Sequence, residues 1–198
     1  MKHSKRHVGK RGFKSVVLLV AVILMIAAVA YAAKNKATTI RLARTEGTVT
    51  VKNSAKEEQS LTPDMLLYGG DHQITSKQSY AWMNLDDTKA IKLDENSESE
   101  LRKKWKKLQV LLDSGNLFFN VTVPLEKDEA FNIRTSTMVT GIRGTCGWFE
   151  VTGDWSTRVY LLTGALESVV INPTDGKSEK TTIKPGTICD FYVVPLAE

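Results

Sequence analysis

The sequence predicts an all-β body, sandwich or solenoid-like in build, behind one N-terminal transmembrane helix. Three observations lead there. Val16 to Ala33 is 18 residues without a charge, and six basic residues precede it. After Ala37 the chain breaks into short runs in which polar and apolar side chains alternate, the period of a half-buried strand. Thr and Val are frequent in these runs, and turn-forming clusters separate them every 8–15 residues or so, the punctuation of an all-β domain.

Residues 1–14 form a basic tail. Lys2, Lys5, Arg6, Lys10, Arg11 and Lys14 lie in it, and the first 33 residues hold no Asp or Glu. From Lys34 onward 21 basic residues face 22 acidic ones, so the net charge of +5 belongs to the N-terminus. That distribution gives the body no basic field for nucleic acid. Residues 15–33 form the expected span. As a helix the apolar run reaches about 27 Å, near the thickness of a bilayer core. The positive-inside rule leaves the tail in the cytoplasm and the body outside the membrane. Ala28-Val29-Ala30 and Ala30-Tyr31-Ala32 have the A-x-A form of a cleavage site, so a cleaved signal peptide is the alternative. Both readings export the body. No Cys directly follows the run, which argues against a lipoprotein anchor.

Residues 34–38 read as a spacer and 39–194 as the β-domain. Strands are expected at 38–44, 48–52, 79–85, 90–93, 116–123, 130–135, 146–152, 157–162, 165–171 and 187–194, with turns at Tyr68-Gly69-Gly70-Asp71, Asp86-Asp87, Asp113-Ser114-Gly115, Gly153-Asp154, 172–176 and Lys184-Pro185-Gly186. One stretch is ambiguous. Ser97-Glu98-Ser99-Glu100 has capping-box spacing, and Leu101, Trp105, Leu108 and Leu112 recur at helical intervals, so 98–112 fits either a helix or a hairpin. A local pattern recurs without fixed period: an apolar residue, then Gly three places on, then an apolar residue two beyond it. It occurs at Leu112, Gly115 and Leu117 and at Leu161, Gly164 and Leu166. Gly47 shares its second half. Glycine at a strand junction permits a bend, and the next apolar residue turns back to the core.

In order along the chain, these residues resemble the FecR domain, an exported all-β module. The resemblance is carried by Gly47-Thr48-Val49; by Leu67-Tyr68-Gly69-Gly70-Asp71 with Ile74-Thr75 and Ser79; by Leu112 to Phe119 and Val121; by Phe131-Asn132-Ile133-Arg134-Thr135; by Gly141-Ile142-Arg143-Gly144-Thr145; by Leu161 to Leu166; and by Pro185-Gly186. It covers roughly residues 39–190. It implies structural roles for Gly47, Gly70, Asp71, Gly115, Gly141, Arg143, Gly144, Thr145 and Gly164, and it favours strands over a helix at 98–112. FecR regulators carry a cytoplasmic anti-sigma domain before their single span. Here 14 residues stand in that place, too few to fold or to wrap a sigma factor. The extra C-terminal signalling subdomain of those regulators has no counterpart in the sequence either. The iron-dicitrate role is therefore not carried over.

Catalytic chemistry is poorly supplied, and no enzyme, cofactor or metal site is expected. His3 and His7 lie in the tail, which leaves His72 alone in the body, read as a solvated turn residue. No nucleophile–base pair can be assembled without it. The acidic pairs Asp86-Asp87 and Asp94-Glu95 read as hairpin tips rather than metal ligands. Arg143 and Thr145 lie in a Gly-rich segment with no G-K-[ST], so that segment reads as a bend, with Arg143 held by carbonyls or carboxylates and Thr145 bonded to backbone. Cys146 and Cys189 form an even pair in an exported chain, as a disulfide or as two buried thiols. Arg102, Lys103, Lys104, Trp105, Lys106 and Lys107 are the basic cluster of the body. They read as a patch for an envelope protein or cell-wall polymer, or else as an edge strand guarded by lysines. The expected function is extracytoplasmic recognition linked to envelope signalling. The alternative is a structural component of cell-surface assembly without signalling.

Overall fold

The computed structural model describes residues 40–172 and 176–193. Among them no helix occurs. Sixteen strands run in the order β1 (Ile40–Glu46), β2 (Val49–Lys52), β3 (Glu58–Gln59), β4 (Met65–Leu67), β5 (His72–Thr75), β6 (Tyr80–Asn84), β7 (Lys89–Leu93), β8 (Glu98–Lys104), β9 (Lys107–Val121), β10 (Ala130–Arg134), β11 (Met138–Ile142), β12 (Cys146–Gly153), β13 (Ser156–Thr163), β14 (Leu166–Ile171), β15 (Ser178–Ile183) and β16 (Thr187–Tyr192). No helix among the described residues is long and apolar enough to cross a membrane, and the expected span at 15–33 lies outside them.

The strands form two sheets that share β9. The first has the order β4-β1-β6-β7-β9-β12-β13-β16. The second has the order β3-β2-β5-β8-β9-β10-β11-β14-β15. At 15 residues β9 is long enough to serve both: Lys107 to Ser114 pairs with β8, and Gly115 to Asn120 pairs with β12. The network does not close on itself, since β4, β16, β3 and β15 each pair on one side only among the described residues. All the described pairings are antiparallel except β9 with β10. That parallel pair follows from the shared strand. The chain leaves β9 in the first sheet at Val121 and returns through 122–129 to run beside Lys107 in the second.

Strand periodicity places the core. Alternate residues such as Leu117, Phe119 and Val121 of β9 and Gly147, Phe149 of β12 point inward, while Phe118 and Trp148 point outward. In the second sheet Leu101, Val110, Leu112, Phe131, Ile133 and Ile142 are buried in the same cluster. Each such side chain removed from water contributes about 1.5–3 kcal/mol.

The glycine-marked junctions are where the chain passes from one sheet to the other. Gly115 shows the requirement most clearly. Its φ is +78°, and an added Cβ would lie 2.6 Å from both the Asn96 carbonyl oxygen and Ser97 Cα. Ser97 Oγ accepts from the backbone N–H of Asn116 at 2.9 Å. The neighbouring corner repeats the device, with Thr48 N–H donating to Ser79 Oγ at 2.8 Å beside Gly47. A Gly-x dipeptide crosses under a serine that crosses the other way and satisfies the freed N–H. At Gly164 the serine is replaced by Thr145, whose methyl packs against the glycine and whose Oγ1 is buried with no hydrogen-bond partner among the described residues. Thr145 therefore does not make the side-chain-to-backbone bonds expected of it.

Other expectations are corrected as well. Residues 98–112 are the β8–β9 hairpin. Ser97, Ser99 and Leu101 are buried on alternate positions, and Ser99 Oγ donates to Gln73 Oε1 at 2.9 Å. The inward positions of β8 are small and polar, so its strand period was hidden and the accidental helical spacing of the leucines stood out. His72 is not a solvated turn residue. It opens β5, its side chain is 12% exposed, and Nε2 lies 4.0 Å from Glu100. β11 was missed because Gly141 was read as part of a bend, whereas it pairs with Asn132 and Glu167 within the ladder.

Candidate functional site

The basic cluster occupies the tip of the β8–β9 hairpin. β8 pairs with β5 only over Glu98 to Glu100, so Arg102, Lys103 and Lys104 are laddered to β9 alone among the described pairings, while Lys107 also pairs with Ala130 of β10. The six residues are held differently. Arg102 donates to both carboxylate oxygens of Glu100, at 2.7 and 3.0 Å. This bond to Arg102 holds the Glu100 carboxyl below its ordinary range. Lys106 reaches back across the end of the sheet to Glu126 at 2.8 Å and Asp128 at 2.9 Å, and these bonds raise its pKa. The β9–β10 connection is thereby tied to the tip, as it is by Ala130 N–H donating to the Lys106 carbonyl at 3.1 Å. Burial lowers the pKa of Lys103, whose backbone passes beside Gly69.

Lys104 and Lys107 sit opposite each other in the last pair of the ladder, both exposed, with no hydrogen bond or ion pair among the described residues. Two like charges face to face are unfavourable in a hairpin. Trp105 lies between them in the two-residue loop. It is 88% exposed and has φ +58°. That position favours Gly or Asn, and a bulky L-residue there costs about 1–2 kcal/mol. A shallow concavity of about 290 Å³ adjoins the tip, lined by Arg102, Lys104, Lys107, Gln109 and Asn132 among others.

The motif residues are spread through the structure rather than gathered in one site. Gly47 and Gly115 mark corners at one end, and Gly144 and Gly164 mark corners at the end that holds the tip. Asp71 is 3% exposed and accepts from Tyr68 N–H at 2.8 Å, closing the turn that contains Gly70. Its backbone carbonyl accepts from Leu101 N–H at 3.0 Å, so this turn packs onto β8 just before the tip. Gly141 lies at the floor of a larger concavity of about 640 Å³ on the outer face of the second sheet, with Asn132, Arg143, Glu167, Lys180 and Thr182 around it. Arg143 was expected to be held by carbonyls or carboxylates. It is exposed and makes no hydrogen bond or ion pair among the described residues. Cys146 and Cys189 are both free. β13 runs between their strands; Cys146 points outward with Trp148, and Cys189 packs against the core. The disulfide reading is thereby corrected. Among the described residues no group of three or more His, Cys, Asp or Glu side chains could hold a metal ion.

Residues 71–167 match the family model described as FecR protein. The chain carries a FecR domain. The match begins at the buried Asp71, contains the hairpin tip and the Gly141–Thr145 segment, and ends at the start of β14. Crystal structures of a candidate anti-sigma factor from Parabacteroides distasonis, at 1.65 and 2.50 Å resolution, are similar to this chain. Each has 17% identity and a TM-score of 0.42, over 57% of this chain and 60% of that one. The likeness thus spans less than two thirds of that protein's length. No curated protein matches the sequence.

Two features of this FecR domain escaped the sequence reading. One is the acidic partner set of the tip, because Glu126 and Asp128 lie 20 and 22 residues from Lys106 and meet it only through the parallel return of the chain. The other is a row of aromatic side chains on the outer face of the first sheet. Its signal was present as adjacent pairs, Phe118-Phe119 and Trp148-Phe149, in which one ring must face out when the other faces in.

Proposed function

We propose that this chain is a membrane-anchored, extracytoplasmic FecR-like recognition module that works in envelope signalling and catalyses nothing. The all-β body, read as two stacked sheets joined by β9, holds the β8–β9 tip out to an acidic macromolecular partner at the envelope. Trp105 is the observation that carries this reading. A large indole is kept almost fully exposed, in a backbone conformation that favours glycine, between two unpaired lysines. Strain and exposure of that kind are retained where a side chain is needed for contact. The lysine at position 106 is spent on fixing the tip, which leaves Lys104 and Lys107 to meet the partner's charge. Anchoring is supported by the 18 uncharged residues from Val16 to Ala33 behind six basic ones. The link to signalling is supported by the FecR match.

Photo-cross-linking in a bacterial host tests the recognition. A benzophenone side chain placed at Gln109, in the concavity beside the tip, should yield a discrete cross-linked product. Lys104→Glu with Lys107→Glu should remove it, and raised salt should weaken it. A product unchanged by the double reversal would take the tip out of the interaction.

A further inference from the structure

The outer face of the first sheet carries a single cross-strand row. Its register runs Arg44–Trp82–Lys92–Phe118, each residue opposite the next on the adjoining strand. It continues through Trp148 and Tyr160 to Ile188 on β16. The rings interlock with the cations. Arg44 stacks 4.7 Å from the Trp82 ring, and Lys92 Nζ lies 5.4 Å from Trp82 and 4.4 Å from Tyr80. Phe118 and Trp148 meet at 4.8 Å. All four rings of the row remain partly exposed, and Ile188 at its end is 64% exposed. A one-sided antiparallel sheet ordinarily presents polar side chains to water, so a row with four rings there, bridged by Lys92, marks a contact surface.

The charges on this face are paired among themselves. Arg44 bonds to Glu46, Lys92 to Asp94 at 3.1 Å, and Arg158 to Asp190 at 2.6 Å and Glu150 at 3.5 Å. The face therefore offers no field to a polyanion, and its apolar strip is one residue wide, too narrow for a lipid surface or a second copy. It offers rings, carboxylates and the amides of Asn84, Asn116 and Asn120. That is the chemistry of an uncharged polyhydroxylated chain, whose C–H faces stack on rings and whose hydroxyls bond to carboxylates and amides. The spacing agrees. Adjacent strands are about 4.8 Å apart and a β-linked sugar advances by about the same length, so six steps from β1 to β16 span about 29 Å, or about six sugars.

We propose that this row is a binding platform for an uncharged β-linked glycan lying across the strands. It lies on the other sheet from the tip and stands or falls separately. The test titrates the full chain, in a detergent without sugar headgroups, with hexamers of β-1,4-linked N-acetylglucosamine, glucose and mannose. Tryptophan fluorescence is the readout. At least one hexamer should give a saturable change that survives about 0.5 M NaCl. Trp148→Ala should weaken binding about tenfold or more, and Tyr160→Ala should do the same should Trp148→Ala unfold. Trp105→Gly, at the tip, should leave the affinity unchanged. No binding to any of the three hexamers, or unchanged affinity in the row variants, would overturn the platform, as would loss of binding in Trp105→Gly.

Discussion

Gly115→Ala combines two penalties that Gly186 and Gly147 carry one at a time. At Gly186 φ is +74° and nothing lies within 4 Å of an added Cβ, so Gly186→Ala reads the backbone cost alone, about 1–2 kcal/mol. Gly147 has no such φ, but its added Cβ would overlap the Tyr160 carbonyl oxygen and lie 3.2 Å from the Phe119 ring. Both belong to paired strands and cannot step aside, so Gly147→Ala reads the steric cost, about 1–3 kcal/mol. Gly153, with nothing within 4 Å and no left-handed φ, is the control and should stay within about 0.5 kcal/mol of the parent. Gly115 has both burdens, at φ +78° with backbone atoms 2.6 Å from the added carbon, and should lose about 3–4 kcal/mol. Urea unfolding of the full chain measures all four variants. Trp82, Trp105, Trp148 and Trp155 are the tryptophans of the chain and all report on the body. With a slope near 2 kcal/mol per molar, roughly, Gly115→Ala should shift the midpoint by about 2 M. A Gly115→Ala midpoint no lower than that of Gly186→Ala would refute the reading of that corner as a packed sheet-to-sheet crossing.

Three further outcomes follow from named groups. Thr145→Val keeps the methyl against Gly164 and removes a buried hydroxyl with no partner, so it should stabilise the body by about 1 kcal/mol in the same urea titration; destabilisation would mean that the hydroxyl is bonded in solution. Burial alone would raise the Asp86 carboxyl, but hydrogen bonds from Lys89 and Thr88 outweigh it and leave its pKa below the ordinary value of 3.8. Its stabilising contribution is therefore present at neutral pH and lost as pH falls through the folded-state value. Asp86→Asn should cost about 1–3 kcal/mol at pH 7, and parent and variant should converge in acid melts only as pH falls well below the ordinary value of 3.8. Alkylation under non-reducing denaturing conditions should find two free thiols, and in the folded chain Cys146 should react slowly because burial pushes its thiol up; a mobility shift on reduction would contradict the opposite-facing placement.

The strands with apolar inward residues could be read directly. Leu117, Phe119 and Val121 or Phe131 and Ile133 alternate with outward neighbours, and every corner glycine of the recurring pattern marks a sheet change. The strands that escaped have inward residues of another kind. β5 buries Gln73 and Thr75, and β15 buries only Ile183, so neither shows hydrophobic alternation. The site was readable to the extent that it is contiguous: residues 102–107 form one hairpin tip. What fixes that tip, the Glu126 and Asp128 carboxylates, depends on a parallel return that no local signal encodes. The row from Arg44 to Ile188 draws its residues from seven strands, and its order follows register alone.

Trp105→Gly tests the central claim most directly, because it separates stability from recognition. Glycine relieves the left-handed backbone at the tip, which should raise the urea midpoint by an amount worth about 1 kcal/mol after the entropy cost of glycine. The same variant, carrying the benzophenone at Gln109, should lose its cross-linked product in cells. A more stable chain that no longer captures its partner is the expected result. A more stable chain with undiminished capture would contradict the account, since the strain at Trp105 would then serve no contact.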